Sequence, residues 1–339
     1  MSPILLLLAL ILAPQSAAPA AQTPSAVDQL VADAAAMKPL ASSPLATQFL
    51  AAVSCLPRLE APRRLFYDKK GGRALTAERA VGMMPEELSG YEETEVDEAF
   101  FYMTRYGTPV AFVRPLEILG KAGVASADGL RLADFGFGSI GQLRALAATG
   151  AQATGIEVDS LLEALYSAPG DTGAIARCEA AGQGPGGSVS LVFGQFPAEA
   201  DTVTGVGRGY DVFVSKNTLK RGYIHPEKPV DPRRLVHLGV DDAVFVRAVF
   251  ELLKPGGRFL IYNLCPAPAP EDKPYIPWAD GHSPFTREVY EAAGFVVEAF
   301  DVDDTPAARA MGAALGWGAD MDLEADLFGT YTLLRRPAG

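Results

Sequence analysis

From Leu130 to its end the chain reads as short apolar runs separated by amphipathic stretches and glycine turns. Leu130–Asp134 predicts a buried strand that closes on a carboxylate, and Ala153–Val158 a second that delivers Glu157. Between them Gln142–Ala148 has the period of a helix, with Gly150 as its stop signal. A short helix is predicted over Ser160–Tyr166, and strands over Ser188–Phe193, Tyr210–Ser215 and Arg258–Leu264. The dense apolar stretch Ala243–Lys254 reads as a helix, as does Thr286–Ala293 ahead of Gly294. Phe295–Asp301 and Gly329–Arg335 close the pattern as two more strands, the last returning antiparallel. Strands that alternate with helices imply an α/β domain whose parallel sheet is covered on both faces.

Upstream the pattern is different. Ile4–Leu12 is an unbroken apolar run too short to span a bilayer, followed by Ala18-Pro19-Ala20. This reads as a secretory signal over residues 1–21, cleaved near Ala20 or Ala21, and implies export without a lasting membrane anchor. Translation from Met37, in the cytoplasm, is the alternative. Residues 22–99 read as a mainly helical extension, with a surface helix over Ala26–Met37 and a turn at Gly71-Gly72. Phe100, Phe101, Tyr102, Tyr106 and Phe112 form an aromatic group just before the α/β pattern. It suits core packing, while Tyr102, Tyr106 and Arg114 are polar-tipped enough to edge a site. Residues 168–187 and 265–284 are Pro/Gly-rich connections, the first a surface insertion. The second carries Tyr275, Trp278, Asp280 and His282 and reads as a semi-rigid lid.

The balance of 41 acidic against 29 basic residues gives a formal charge of −12, which argues against nucleic acid and anionic lipid as partners. Three scattered cysteines and three histidines offer no zinc-binding spacing, so no metal is expected. The odd cysteine count leaves room for one disulfide.

The chemistry concentrates where the first strand meets its helix. Gly136, Gly138 and Gly141 permit a tight turn whose N–H groups can approach a ligand, and Glu157 can grip two ribose hydroxyls. Asp134 disfavours a pyrophosphate but suits a cationic sulfonium ligand with a free amino group. The stretch resembles the first motif of class I S-adenosylmethionine (SAM) methyltransferases. It departs from the commonest pattern because Ile140 stands where a third alternating glycine is frequent. Leu253-Lys-Pro-Gly-Gly-Arg-Phe-Leu-Ile-Tyr262 resembles that family's turn before the fifth strand, and Ala-Ala-Gly-Phe295 with the reversed last strand resembles its closing pair.

The resemblance covers about Phe100 to Arg335, in a domain over residues 100–339, and implies a Rossmann-like, doubly wound, mostly parallel sheet of seven strands with an antiparallel last strand. It implies SAM as cofactor, held by Asp134, Gly136, Gly138, Gly141, Glu157, Gln195, Phe196 and Ser215. Gln195 stands where the family often places an acid for the adenine amino group; its amide oxygen can still accept. Ligands of open sheets sit beyond the carboxyl ends of strands, which brings Lys216 and Asn217 to the transferred methyl. His225 and His282 are the candidate bases. The cations Lys216, Lys220, Arg221 and His225 suggest a small anionic or polar acceptor. A noncatalytic SAM-binding module and an NAD-type oxidoreductase stay open beside this reading.

Overall fold

The computed structural model describes residues 25–339; the signal reading of residues 1–21 lies outside the described residues. Its centre is an eight-stranded sheet built from β4 (Arg131–Phe135), β5 (Gln152–Glu157), β6 (Gly173–Ile175), β7 (Gly187–Phe193), β8 (Tyr210–Lys216), β9 (Leu253–Cys265), β10 (Val296–Asp303) and β11 (Phe328–Arg335). The spatial order is β10-β11-β9-β8-β4-β5-β7-β6. β7, β5, β4, β8 and β9 run parallel, while β11 lies antiparallel to both β9 and β10. The α/β, doubly wound sheet with its reversed last strand is therefore present. The count is eight rather than seven because β6 pairs antiparallel with β7 at one edge. Three residues beginning in glycine are too short for any periodicity to announce a strand.

Local chemistry explains the central unit. Leu132, Ala133 and Asp134 are buried along β4, and Ala153 and Ile156 along β5. The helix Ile140–Ala148 between them is buried on nearly every side, and the Ser139 hydroxyl caps it by accepting from the Gly141 N–H at 3.2 Å. Gly150, at φ +97°, ends it. Across the sheet, Phe213, Phe245, Phe259, Phe285 and Tyr290 pack edge-to-face and stacked as a second core. In β9 the Lys-Pro-Gly-Gly sequence is a bulge. Tyr210 pairs with Leu253, the next register pair is Val212 with Arg258, and Gly256 sits at φ +81°.

The N-terminal extension departs from its reading as surface helix and linker. Helices Ala26–Met37 and Pro44–Ala52 bury Leu30, Leu45, Phe49 and Leu50, which join the core cluster beneath the central sheet. Residues 63–96 supply a three-stranded antiparallel sheet, β1 (Arg63–Asp68), β2 (Arg73–Thr76) and β3 (Glu92–Val96), in the order β2-β1-β3. The Gly71-Gly72 turn joins β1 to β2, as its composition predicts. A disulfide, Cys55–Cys178, ties the extension to the insertion that carries β6. Among the described residues no helix is long and apolar enough to cross a membrane.

Candidate active site

The strand order reverses between β4 and β8, and a crevice opens there beyond their carboxyl ends. It forms a cavity of about 860 Å³. Asp134 makes its floor. Only 1% of this residue is exposed; its Oδ2 accepts from Gln142 Nε2 at 3.2 Å, while Oδ1 has no partner. Gln142 Nε2 also donates to the Phe137 carbonyl at 2.5 Å, and Gln142 Oε1 is likewise unpartnered. Burial pushes the Asp134 carboxyl up to about 7, against the pull of the Gln142 hydrogen bond and the Lys216 charge. A buried carboxylate with one idle oxygen calls for a donor.

The glycine turn lies against this floor. Gly136 and Gly138 sit at φ +72° and +61°, where side-chain-bearing residues are strained. Space forbids a side chain as well: a Cβ on Gly136 would run into Thr218, and one on Gly138 would lie 2.9 Å from Cγ of Tyr106. Tyr106 thus covers the turn, its hydroxyl 3.3 Å from Asp159 Oδ2, and Arg105 pairs with the same carboxylate. Glu157, at the end of β5, lines the cavity; burial raises its carboxyl, and Oε1 accepts from the Val158 N–H at 2.8 Å. Gln195 donates through Nε2 to the His237 carbonyl at 2.8 Å, so its amide oxygen is the group left for a ligand. Phe196 adds an apolar wall.

β8 delivers Lys216 and Asn217 to the other side. Asn217 adopts φ +66°, a conformation asparagine tolerates, and its Oδ1 accepts from the Leu264 N–H at 2.7 Å. This side chain fastens the end of β8 to β9, so Asn217 is a positioning residue. Burial pulls the Lys216 and Lys220 ammonium groups down to about 8, with the Asp134 charge opposing at Lys216.

Asp134, Gly136, Gly138, Glu157, Gln195, Phe196, Lys216 and Asn217 therefore line one cavity. Four expected members do not line it. Gly141 is packed beneath Pro109 and Tyr102 inside the helix, where it permits close approach of the chain. Ser215 is fully buried, its hydroxyl accepting from the Leu219 N–H at 3.3 Å. The His225 ring is held by Asp242 at 2.9 Å and the His282 ring by Asp280 at 2.8 Å. Neither lines the cavity, so neither stands where a base would act. Of the three polar-tipped residues, Tyr106 edges the site, Tyr102 is buried with its hydroxyl donating to Pro57 O, and Arg114 pairs bidentately with Asp304.

Sequence reasoning missed Gln142, Arg105, Arg233, Arg234 and His237, all cavity-lining. Gln142 carried a signal: a helical amide eight residues after Asp134 faces back over the glycine turn. The segment 233–237 carried none, because its approach depends on how the long connection after β8 folds back. The lid reading fits the connection 265–284 in part, since Pro266 and Trp278 line the cavity. That connection is fastened by Arg221 to Asp280 at 2.6 Å and by Asn263 Nδ2 to Gly281 O at 2.9 Å.

Among solved structures, the chain is similar to a phosphoethanolamine N-methyltransferase from Haemonchus contortus, solved with phosphomonomethylethanolamine and S-adenosylhomocysteine. The identity is 16% and the TM-score 0.40, over 70% of this chain and 56% of that one. This chain thus spans little more than half of that enzyme's length. A putative sarcosine dimethylglycine methyltransferase from Galdieria sulphuraria is similar at 11% identity and TM-score 0.36, over 66% and 88% of the two chains. The [4+2]-cyclase SpnF is similar at 15% identity and TM-score 0.38, over 93% and 98%. No family model and no curated protein matches the sequence. At such identities and scores the likeness lends no weight to an activity, which rests on the cavity's own residues.

Proposed function

We propose that the protein is a SAM-dependent methyltransferase acting on a small acceptor. The observation that carries this reading is the idle Oδ1 of buried Asp134 beside the Gly136–Gly138 turn, with Glu157 on the same wall. A carboxylate beneath a glycine turn suits an ammonium and repels the pyrophosphate of a dinucleotide. In the cavity Asp134 would hold the amino group, Glu157 the ribose hydroxyls, Gln195 Oε1 the adenine amino group and Lys216 the carboxylate. Bound SAM supplies a methyl group on a sulfonium, ready for in-line displacement. The protein's part is alignment and exclusion of water: Tyr106 covers the turn, and Trp278 and segment 233–237 wall the far side. With His225 and His282 directed elsewhere and Lys216 engaged as a cation, a proton lost by the acceptor would pass to solvent.

Calorimetric titration of SAM, S-adenosylhomocysteine and NAD into the protein tests the reading. Glu157→Ala should weaken SAM binding at least about tenfold, since hydrogen bonds to a carboxylate contribute about 1.5–3 kcal/mol. Unchanged affinity in a folded variant, or tighter binding of NAD, overturns it. SAM binding without transfer to any of a panel of small acceptors favours a binding module, the reading kept open by the position of Asn217, whose amide oxygen is spent on structure.

Export belongs to the same proposal. The Ile4–Leu12 run motivates it, and the Cys55–Cys178 bridge supports it, because disulfides persist in oxidising compartments.

A further inference from the structure

The cavity carries opposite charge on its two sides. Asp134 and Glu157 stand at the glycine turn, whereas Lys220, Tyr223, Arg234 and Trp278 form the wall beyond β8. Most cations near this wall are paired. Arg221 reaches Asp280 at 2.6 Å and Glu227 at 3.3 Å, Arg233 reaches Asp231 at 2.6 Å, and Arg105 pairs with Asp159. Lys216 is in no ion pair among the described residues, but the Asp134 carboxyl lies near enough for its charge to act on it.

Lys220 is different. It is 4% exposed, and its Nζ donates to the Leu264 carbonyl at 2.6 Å and the Trp278 carbonyl at 3.2 Å. An ammonium has three donors, so one is left, and carbonyl oxygens orient the charge without cancelling it. The Tyr223 ring lies 5.5 Å from Nζ, and the Arg234 guanidinium stands 6.0 Å from the Trp278 ring centroid. Among the described residues neither cation has a carboxylate within ion-pair distance. For Lys220 a buried charge without a counterion is costly, and the simplest way to answer it is with the ligand; Arg234, which is exposed, adds a second cation on the same wall.

We propose that Lys220 and Arg234 form an anion subsite that holds a phosphate or carboxylate group of the acceptor, with Tyr223 and Trp278 flanking its carbon frame. The inference rests on the methyl-transfer reading for the word acceptor; the subsite itself rests on the unpaired cations. Its chemistry suits an oxyanion bound between an ammonium and a planar guanidinium.

The test uses the full chain, alone and saturated with S-adenosylhomocysteine, titrated calorimetrically with inorganic phosphate and separately with acetate. At least one anion should bind saturably. Arg234→Gln, a change at an exposed position, should weaken that anion about fivefold or more and leave S-adenosylhomocysteine affinity within twofold. Lys220→Met should weaken it further, and Lys220→Arg should restore part of the loss. Tighter binding of phosphate assigns a phosphomonoester acceptor, and equal or tighter binding of acetate a carboxylate. If neither anion saturates, or if Arg234→Gln binds both as well as the parent, the subsite is wrong, whatever Lys220→Met does to the fold. Should the anion bind through Lys220 and Arg234 while S-adenosylhomocysteine does not bind at all, the subsite stands and the methyltransferase reading falls.

Discussion

Asp134 is the residue on which the cavity's electrostatics turn. Its carboxyl, raised to about 7 by burial, is largely protonated in the unliganded protein at mildly acidic pH. A cationic ligand favours the ionised form, so binding below pH 7 must release a proton and is weakened in proportion. SAM affinity should therefore rise between about pH 5.5 and pH 7.5, approaching tenfold per unit at the acidic end. Asp134→Asn should bind weakly with little pH dependence across that window. Calorimetry at several pH values checks both, and a flat profile for the parent protein would remove Asp134 from the site. The same raised value means that the unliganded fold loses stability as pH climbs from about 4 toward 7, because the proton is held more tightly in the folded chain than in the unfolded one.

The element that matters most is the turn from β4 into the helix Ile140–Ala148, where two glycines of one motif have different jobs. Gly138 needs its φ of +61° and lies under Tyr106 on the cavity wall. Gly141 has an ordinary helical backbone but sits 2.8 Å, measured from an added Cβ, from Cγ of Pro109. Gly138→Ala should weaken SAM binding and also destabilise the fold by at least about 1–2 kcal/mol, the cost of a left-handed alanine, to which the crowding of Tyr106 adds. Gly141→Ala should lower the melting temperature through overpacking, about 1–3 kcal/mol, with SAM affinity within twofold. Equal losses of affinity in the two variants would return Gly141 to the binding surface.

At the scale of the whole molecule, the N-terminal extension is bound into the α/β domain by shared core and by one covalent tie. Cys55 and Cys178 are 123 residues apart in sequence, so their bond constrains a long loop of the unfolded chain. Replacing both with serine should cost about 2–4 kcal/mol and lower the melting temperature by roughly 3–6 °C, while making it indifferent to reductant. If the chain is exported, native protein should carry that cross-link and an N-terminus near Ala21 or Gln22, both readable by mass spectrometry of unreduced peptides. Two free thiols and an N-terminus at Met1 or Met37 would place it in the cytoplasm instead.

The sequence by itself determined the parallel strands and the acids at their ends. A strand buried on both faces must be apolar throughout, so Leu132-Ala133 and Val212-Phe213-Val214 announce themselves, and Asp134, Glu157 and Lys216 follow by position. The tight turn at Gly136 and Gly138 was legible from the glycines themselves, which best tolerate the positive φ it takes. Tertiary structure decided what depends on distant segments meeting. It sent the His225 and His282 rings to Asp242 and Asp280, turned Gly141 and Ser215 into packing residues, and brought segment 233–237 over the cavity. It also drew the helix read as surface, Ala26–Met37, and the helix Pro44–Ala52 in the stretch read as linker into the core. Ala-rich amphipathic helices carry the same pattern whether their apolar stripe is wide or narrow, and only the partner surface, here the face carrying Leu116 and Leu143, decides how much of it is buried.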